Sequence, residues 1–190
     1  CGERIAPRYL FLEVLGGLMG LSAMLHFGPT VAWGWVLVLG FCLLVLTFID
    51  LDHQLLPDSL TLPLLWLGLL LSVFNVFVDS RQSILGAALG YGCFWLLHAL
   101  FLKMTGKDGL GRGDFKLIAA LGAWLGFHSL PFIILIASVL GSCVGVALLL
   151  MGRHGRQDPI PFGPFLAFAG WATLLAGDRM IAAYWAFYAP

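Results

Sequence analysis

The sequence predicts an all-α fold, a polytopic bundle of about seven transmembrane helices, from three observations. First, the 190-residue chain is 61% hydrophobic and only 11% charged, with a mean hydropathy of +0.97. Second, apolar runs recur along its whole length, with glycine and proline between them. Third, its basic residues gather at alternate ends of those runs. Because soluble domains carry about 25% charged residues, most of this surface must face lipid.

The apolar runs are predicted to be helices, since roughly 20 apolar residues cross a bilayer core in that form. They cover residues 9–25, 30–49, 59–78, 84–102, 115–127, 131–151 and 160–176. The fifth run is short and rich in glycine. The closing segment MIAAYWAFYAP, residues 180–190, is aromatic and too short to span. It is therefore predicted to lie separately in the membrane interface, where Trp and Tyr settle.

The basic residues predict the orientation of the bundle. With seven spans, most of them fall on one side, and by the positive-inside rule that side is cytoplasmic. These are Arg4, Arg8, Lys103, Lys107, Arg112, Lys116, Arg153 and Arg156, whereas only Arg81 and Arg179 fall on the other side. The cations around the fourth-to-fifth loop are expected either to orient lipid headgroups or to adjust the ionisation of an aspartate pair, Asp50 and Asp114. Residues 1–190 are thus predicted to form a single multi-pass domain.

Four pairs of glycines are spaced four residues apart, a pattern that lets helix backbones approach closely. They are Gly16/Gly20, Gly86/Gly90, Gly122/Gly126 and Gly141/Gly145. The pairs predict packing within a bundle and carry no chemistry of their own.

Charge and cysteine content restrict the ligands. A formal net charge of zero argues against a nucleic-acid partner, because phosphate binding needs a basic excess. Cys42, Cys93 and Cys143 lie singly within apolar runs, without zinc-site spacing, and are interpreted as small core or lipid-facing residues. Cys1 differs, since it is a candidate remnant of a cysteine pair.

Asp50 and Asp114 are the candidate catalytic residues. The second span runs toward the cytoplasm and the fifth runs away from it, so both carboxyls lie at the same depth on the same face. Two carboxyls brought together there cannot both ionise easily and tend to share a proton, as in aspartic proteases. Alternatively, Asp114 caps the fifth helix, where a negative charge is stabilising by about 0.3–1 kcal/mol. The residues alone leave both interpretations open.

Residues near these two acids have further interpretations. Gly111 and Gly113 permit backbone conformations barred to other residues and are predicted to let a substrate strand approach. Asp58 or Ser59 is predicted to cap the third helix. Glu13 lies within the first span, where it could face the bundle, reach toward the surface or contact a basic group.

Three segments resemble the type IV prepilin peptidases, membrane aspartic proteases with a G-x-G-D motif. IDLDHQLLPDSLTLPLLWLGL resembles the first aspartate motif of that family, and TGKDGLGRGDFKLIAALGAWLG resembles the second. PIPFGPFLAFAGW resembles the last-span signature, and CGERIAPRY extends the similarity to the start. The resemblance implies that Asp50 and Asp114 are the catalytic acids, with Asp52 and Asp58 as their neighbours.

The resemblance also implies a function. An endopeptidase of this kind lies in the bacterial inner membrane and cuts a basic leader after glycine from prepilins or pseudopilins at the cytoplasmic face. The apolar N-terminal helix of the substrate then lies in lipid, and proteolysis is expected to need no cofactor. Family members usually add an earlier span and a cytoplasmic insert with two zinc-binding cysteine pairs, a region associated with methyl transfer from S-adenosylmethionine. Only Cys1 matches that insert, so zinc and S-adenosylmethionine are expected only in a longer form, and this chain is expected to be the catalytic C-terminal portion.

Two other classes of function compete with this one. A small transporter could use Asp50 and Asp114 as ion or proton sites, which predicts acids near mid-membrane. A scaffold of a secretion apparatus would use both acids only as helix caps.

Overall fold

The computed structural model describes residues 7–106, 111–151 and 160–188, and these residues form helices without any strand. The all-α prediction is confirmed. The helices are α1 (Pro7–Phe27), α2 (Val31–His53), α3 (Asp58–Val73), α4 (Ser80–Thr105), α5 (Arg112–Leu125), α6 (Leu130–Leu150) and α7 (Gly163–Tyr188), with a 3-10 turn at Phe127–Ser129. Each agrees with one predicted apolar run.

Four helical segments are long and apolar enough to cross a membrane: Pro7–Phe27, Val31–His53, Ser80–Met104 and Phe127–Leu150. Shorter apolar helices lie at Asp58–Val73 and Gly163–Gly177. This pattern supports a polytopic membrane protein.

Two predicted boundaries are wrong. The third helix ends at Val73 rather than near residue 78, because Asn75 takes a left-handed conformation (φ 52°) and its amide bonds back to the Ser72 carbonyl. At the C-terminus, the segment predicted to lie apart in the interface is continuous with α7, which runs without a break to Tyr188. No proline or glycine falls between residues 178 and 188, so nothing in the sequence stops that helix.

The cap predicted for the third helix is also wrong. Pro57 occupies the N-cap position of α3, and no side chain caps the helix. The Asp58 carboxylate instead pairs with the Lys116 ammonium of α5. A second ion pair joins Arg8 of α1 to Asp52 of α2. These two pairs bring the ends of α1, α2, α3 and α5 together at one end of the bundle.

The core is built around α5, in which every residue from Phe115 to Trp124 except Lys116 is buried. α3, α4 and α7 pack around it. Polar anchors fix its far end, where the Trp124 indole N–H donates to the Leu64 carbonyl (2.8 Å) and the Ser83 hydroxyl donates to the Ala123 carbonyl (2.6 Å). At about 1.5 Å per residue, its 14 residues measure roughly 21 Å, too short for a 30 Å bilayer core. The helix needs no greater length because other helices surround it.

The glycine pairs of α4 and α5 face each other. A Cβ atom on Gly86 would lie 2.1 Å from the Gly122 carbonyl oxygen, and one on Gly122 would lie 2.3 Å from the Gly86 oxygen. A Cβ on Gly90 would lie 2.9 Å from the Ile118 oxygen. The packing role predicted for Gly86, Gly90 and Gly122 is therefore confirmed, and it fixes α5 against α4.

Candidate active site

Asp50 lies in the last turn of α2. The helix stops just beyond it because Gln54 turns left-handed (φ 52°), and the Gln54 amide donates to the Asp50 carbonyl (2.8 Å). The Asp50 side chain is 5% exposed. Its Oδ2 atom accepts a hydrogen bond from the Gly163 amide at the start of α7 (2.9 Å). This contact joins the end of α2 to the start of α7 and orients the Asp50 carboxyl.

Asp114 lies in the first turn of α5 and is 6% exposed. The N-cap position belongs to Gly111, which has no side chain to cap with. Asp114 reaches back instead, because its carboxyl accepts a hydrogen bond from the Gly111 amide, as the acidic partner does in a capping box. The cap interpretation therefore describes one contact of Asp114 correctly, and the same carboxyl has a second neighbour.

That neighbour is Asp50. Both carboxyls line one cavity of about 730 Å³, which also contains Gly111, Gly113 and Leu56. Asp114 precedes the apolar part of α5 and lies outside the four segments long enough to span. Burial and then the charge of Asp50 raise the pKa of Asp114 to about 7, although the Gly111 amide opposes the rise. The structure thus brings the two predicted acids into one cavity, where the charge of Asp50 opposes ionisation of Asp114.

The two predicted site glycines, Gly111 and Gly113, matter because they leave room for neighbouring atoms and not because they take unusual backbone angles. Gly111 has an ordinary φ of −67°, and Gly113 lies within the helix, so the expected special conformations are wrong. A Cβ on Gly113 would lie 2.6 Å from the Leu56 Cβ, and one on Gly111 would lie 3.0 Å from Asp114 Oδ2. Both glycines therefore allow the cavity wall to close around Asp114. Their role in substrate approach stays a prediction.

Gly163 is a site residue that the sequence did not reveal. It occurs in the PIPFGP segment, which resembles a last-span signature but carried no predicted site residue. A Cβ at this position would lie 2.7 Å from Asp50 Oδ2 and 3.2 Å from a methyl carbon of Leu56. The absence of a side chain lets the Gly163 amide reach the Asp50 carboxylate. A glycine next to a proline at a predicted helix start was the only sequence signal for this residue. That signal could not identify its partner, because Asp50 lies in another helix.

The sequence profile of the type IV leader peptidase family matches residues 37–146, which is more than half of the chain and includes both aspartates. The chain belongs to the type IV leader peptidase family. It is 47% identical over 182 residues to a prepilin leader peptidase/N-methyltransferase of Aeromonas hydrophila, covering 95% of this chain and 62% of that protein. It is also 47% identical over 184 residues to the protein of the same name in Stutzerimonas stutzeri, covering 97% of this chain and 64% of that protein.

A third relative with the same name, from Dichelobacter nodosus, is 46% identical over 180 residues, covering 95% of this chain and 62% of the relative. The chain therefore spans less than two thirds of the length of these leader peptidases. No solved structure matches it.

The other acids near the cavity pair with residues outside the candidate site. Asp52 pairs with Arg8, and Asp58 pairs with Lys116, so Lys116 contacts neither aspartate of the candidate site. His53 and Glu13 line a separate groove between α1 and α2. The two neighbours implied by the resemblance thus stand beside the candidate pair without joining it.

The zinc and methyl-transfer expectations concern Cys1 and what would precede it, and Cys1 lies outside the described residues. Cys42, Cys93 and Cys143 are free thiols. Among the residues described, no group of three or more His, Cys, Asp or Glu side chains could hold a metal ion. Both expectations stay predictions.

Proposed function

We propose that this chain is the catalytic portion of a membrane-embedded aspartic endopeptidase that removes the leader from prepilins or pseudopilins. The observation that carries the proposal is the pair of buried carboxyls, Asp50 and Asp114, in one open cavity of about 730 Å³. Membership of the leader peptidase family supports the reaction class. The names of the relatives support prepilins as the substrate class.

The two aspartates differ in ways that assign their roles. The Gly163 amide stabilises a negative charge on Asp50, so Asp50 acts as the base that takes a proton from water. Asp114, with its pKa near 7, is the acid that protonates the oxygen of the scissile carbonyl. The oxygen of the deprotonated water bonds to the carbonyl carbon, and the product is a tetrahedral diol. When the carbon–nitrogen bond breaks, the proton held by Asp50 passes to the leaving amine, and the diol returns a proton to Asp114.

The position of the acids suits a substrate anchored in the membrane. Both lie at the end of the bundle where α2 stops and α5 begins, and the distribution of basic residues predicts that this end faces the cytoplasm. A leader in the cytoplasm joined to an apolar helix in lipid would present its junction at this depth. A glycine before that bond would help, since glycine leaves helical structure easily.

Methyl transfer is not part of this proposal. The relatives are named for both activities, but the chain covers only 62% of the Aeromonas hydrophila protein. We assign proteolysis, without a cofactor, to the residues of this chain. Zinc and S-adenosylmethionine are assigned to a longer form.

A direct test is cleavage of a purified prepilin by the purified full chain in detergent micelles. Loss of the leader is followed on a gel, and mass spectrometry of the product identifies the bond. Cut product after the leader glycine is expected. A properly folded chain that leaves the prepilin intact would contradict the proposal, whereas proton-driven solute uptake into proteoliposomes would favour a transporter.

Cleavage is expected to decrease as the pH rises through about 7. The pKa of Asp114 is raised to about 7, so its neutral, proton-donating form is present below that pH and is lost above it. The rate should fall by about 15-fold between pH 7 and pH 8.5. Initial rates of prepilin cleavage measure this profile, with tryptophan fluorescence at each pH to verify that the protein stays folded. A rate that is constant up to pH 9 would exclude Asp114 as the acid.

Alanine at Gly163 is expected to lower the cleavage rate by about 100-fold, because a misplacement of about 1 Å in a catalytic group can cost that much. The new Cβ would lie 2.7 Å from Asp50 Oδ2 and would push the carboxylate off its amide donor. Gly34→Ala is the matched control on α2, since a Cβ there meets nothing within 4 Å. Equal cleavage rates for the two variants would show that the Gly163 contact does not matter.

A further inference from the structure

Gln54 ends α2 in a backbone conformation that is unusual for its residue type. Its φ is 52°, in the left-handed region, and its amide donates to the Asp50 carbonyl (2.8 Å). A residue with a Cβ atom is disfavoured in that region, so glycine or asparagine commonly takes this position at the end of a helix. Residues held in such conformations cluster at functional sites, which makes the Gln54 side chain a candidate for a function.

Two other helices of the bundle end in the same way, but with glycine. Gly28 follows α1 with a φ of 63°, and Gly106 follows α4 with a φ of 67°. Each of these amides donates to the carbonyl four residues earlier, as the Gln54 amide does. Glycine is thus the ordinary residue for this cap in the protein, and the glutamine at the end of α2 needs another reason.

The place of Gln54 in the candidate cavity supplies that reason. Gln54 lines the cavity together with Asp50 and Asp114, and it is exposed. Most of the other side chains that line the cavity are apolar, such as Leu55 and Phe94. Among the described residues of this lining, Gln54 supplies the one side-chain amide, a group with both an N–H donor and a carbonyl acceptor.

A substrate cut in this cavity has peptide groups that need such a partner. The scissile carbonyl must be accessible to the two carboxyls, so the substrate backbone around it has to leave any helix and give up its helical hydrogen bonds. Each N–H or C=O group that is then left unpaired away from water costs free energy. A glutamine amide can accept from a peptide N–H through its oxygen and donate to a peptide carbonyl through its nitrogen.

We propose that the Gln54 side-chain amide binds the substrate backbone beside the scissile bond and holds it extended across Asp50 and Asp114. This inference rests on the proposed function and adds a substrate-binding residue to it. The left-handed cap fixes the backbone of Gln54 one helical turn after Asp50, so the binding group and the proposed base belong to one rigid element. Because the contact uses backbone atoms of the substrate, it is independent of the substrate side chains.

Glycine at Gln54 separates stability from cleavage. Gln54→Gly removes the backbone penalty, so the midpoint of thermal unfolding in detergent should stay the same or rise by up to about 4 °C. It also removes two hydrogen bonds to the substrate, so kcat/KM for prepilin cleavage should fall by about 30-fold. The pH at which cleavage declines should not change, because an amide does not titrate. Wild-type cleavage by Gln54→Gly would overturn the inference and leave the proposed function intact.

Two further variants control for the backbone. Asn75 also has a φ of 52° but is not among the described residues that line the cavity, so Asn75→Gly should cleave prepilin at the wild-type rate. Gln54→Met keeps the length of the side chain and the left-handed backbone but has no amide. It should lose cleavage as Gln54→Gly does, without any gain in stability. A wild-type rate for Gln54→Met would assign the effect of glycine to backbone freedom and would overturn the inference.

Changes in the substrate backbone give an independent readout. In synthetic prepilin peptides, a single N-methyl group is placed in turn at the residues on either side of the cut, and each removes one peptide N–H donor. At one position, N-methylation should lower kcat/KM by at least about fivefold for the wild type but by less than about twofold for Gln54→Gly. Equal losses for the two proteins at every position would overturn the inference. A folded wild-type protein that cuts no prepilin peptide would instead contradict the proposed function itself.

Discussion

Asparagine at Asp50 or at Asp114 is expected to abolish leader removal, with a rate loss of at least about 10²–10⁴-fold. Each substitution keeps the size of the side chain but removes either the proposed base, Asp50, or the proposed acid, Asp114. Both carboxyls are almost completely buried, at 5% and 6% exposure, so no solvent group replaces them easily. The measurement is the fraction of prepilin processed, read on a gel, by membranes that contain equal amounts of each variant.

The chain supplies its own control for this experiment. Asp52→Asn and Asp58→Asn make the same chemical change at carboxylates that are exposed and paired with Arg8 and Lys116. Because exposed ion pairs contribute little, these variants should process prepilin at a rate close to that of the wild type. Normal processing by Asp50→Asn or Asp114→Asn would remove the two-aspartate mechanism. A comparable loss in the control variants would indicate a general effect of charge.

Alanine at Gly86 is expected to destabilise the bundle strongly. The added Cβ would lie 2.1 Å from the Gly122 carbonyl oxygen, and both atoms belong to helix backbones that cannot move independently. Forcing extra volume into a packed core costs about 1–3 kcal/mol or more. The midpoint of thermal unfolding in detergent, followed by circular dichroism, should fall by about 2–12 °C.

Gly92→Ala is the matched control for Gly86→Ala. It lies on the same helix, and a Cβ there meets nothing within 4 Å. Alanine is the better helix former, so this variant should be as stable as the wild type or slightly more stable. Equal midpoints for Gly86→Ala and Gly92→Ala would show that α4 and α5 are less closely packed than the structure indicates.

Composition and span length predict the outer helices well. α1, α2, α4 and α6 agree with their apolar runs because lipid-facing helices must be long and apolar throughout. The same signal describes α5 only partly. Its short glycine-rich run predicts a helix, but only packing reveals that other helices surround it. The pairing of Asp58 with Lys116 could not be predicted for a similar reason, since 58 residues separate the partners and no local pattern links them.

The candidate site also has some features that the sequence predicts and others that it does not. Asp50 and Asp114 could be predicted together because counting spans gives both a common depth and face. Gly163 could not be predicted, since its contact with Asp50 joins residues 113 positions apart. The backbone explanation for Gly111 and Gly113 failed because sequence does not distinguish a glycine needed for its φ angle from one needed for space. In this protein both glycines are needed for space, because a Cβ atom would crowd Leu56 at one position and the Asp114 carboxyl at the other.

The enclosure of α5 determines how the protein responds to its bilayer. A thicker or thinner membrane acts first on helices that touch acyl chains, such as α1, in which Ala23 is the single buried residue. Such a helix can tilt to match the new thickness at small cost. The helix that bears Asp114 touches protein on nearly all sides, so its height is determined by α3 and α4 rather than by lipid. Catalytic geometry should therefore tolerate changes in acyl-chain length that alter the tilt of the periphery.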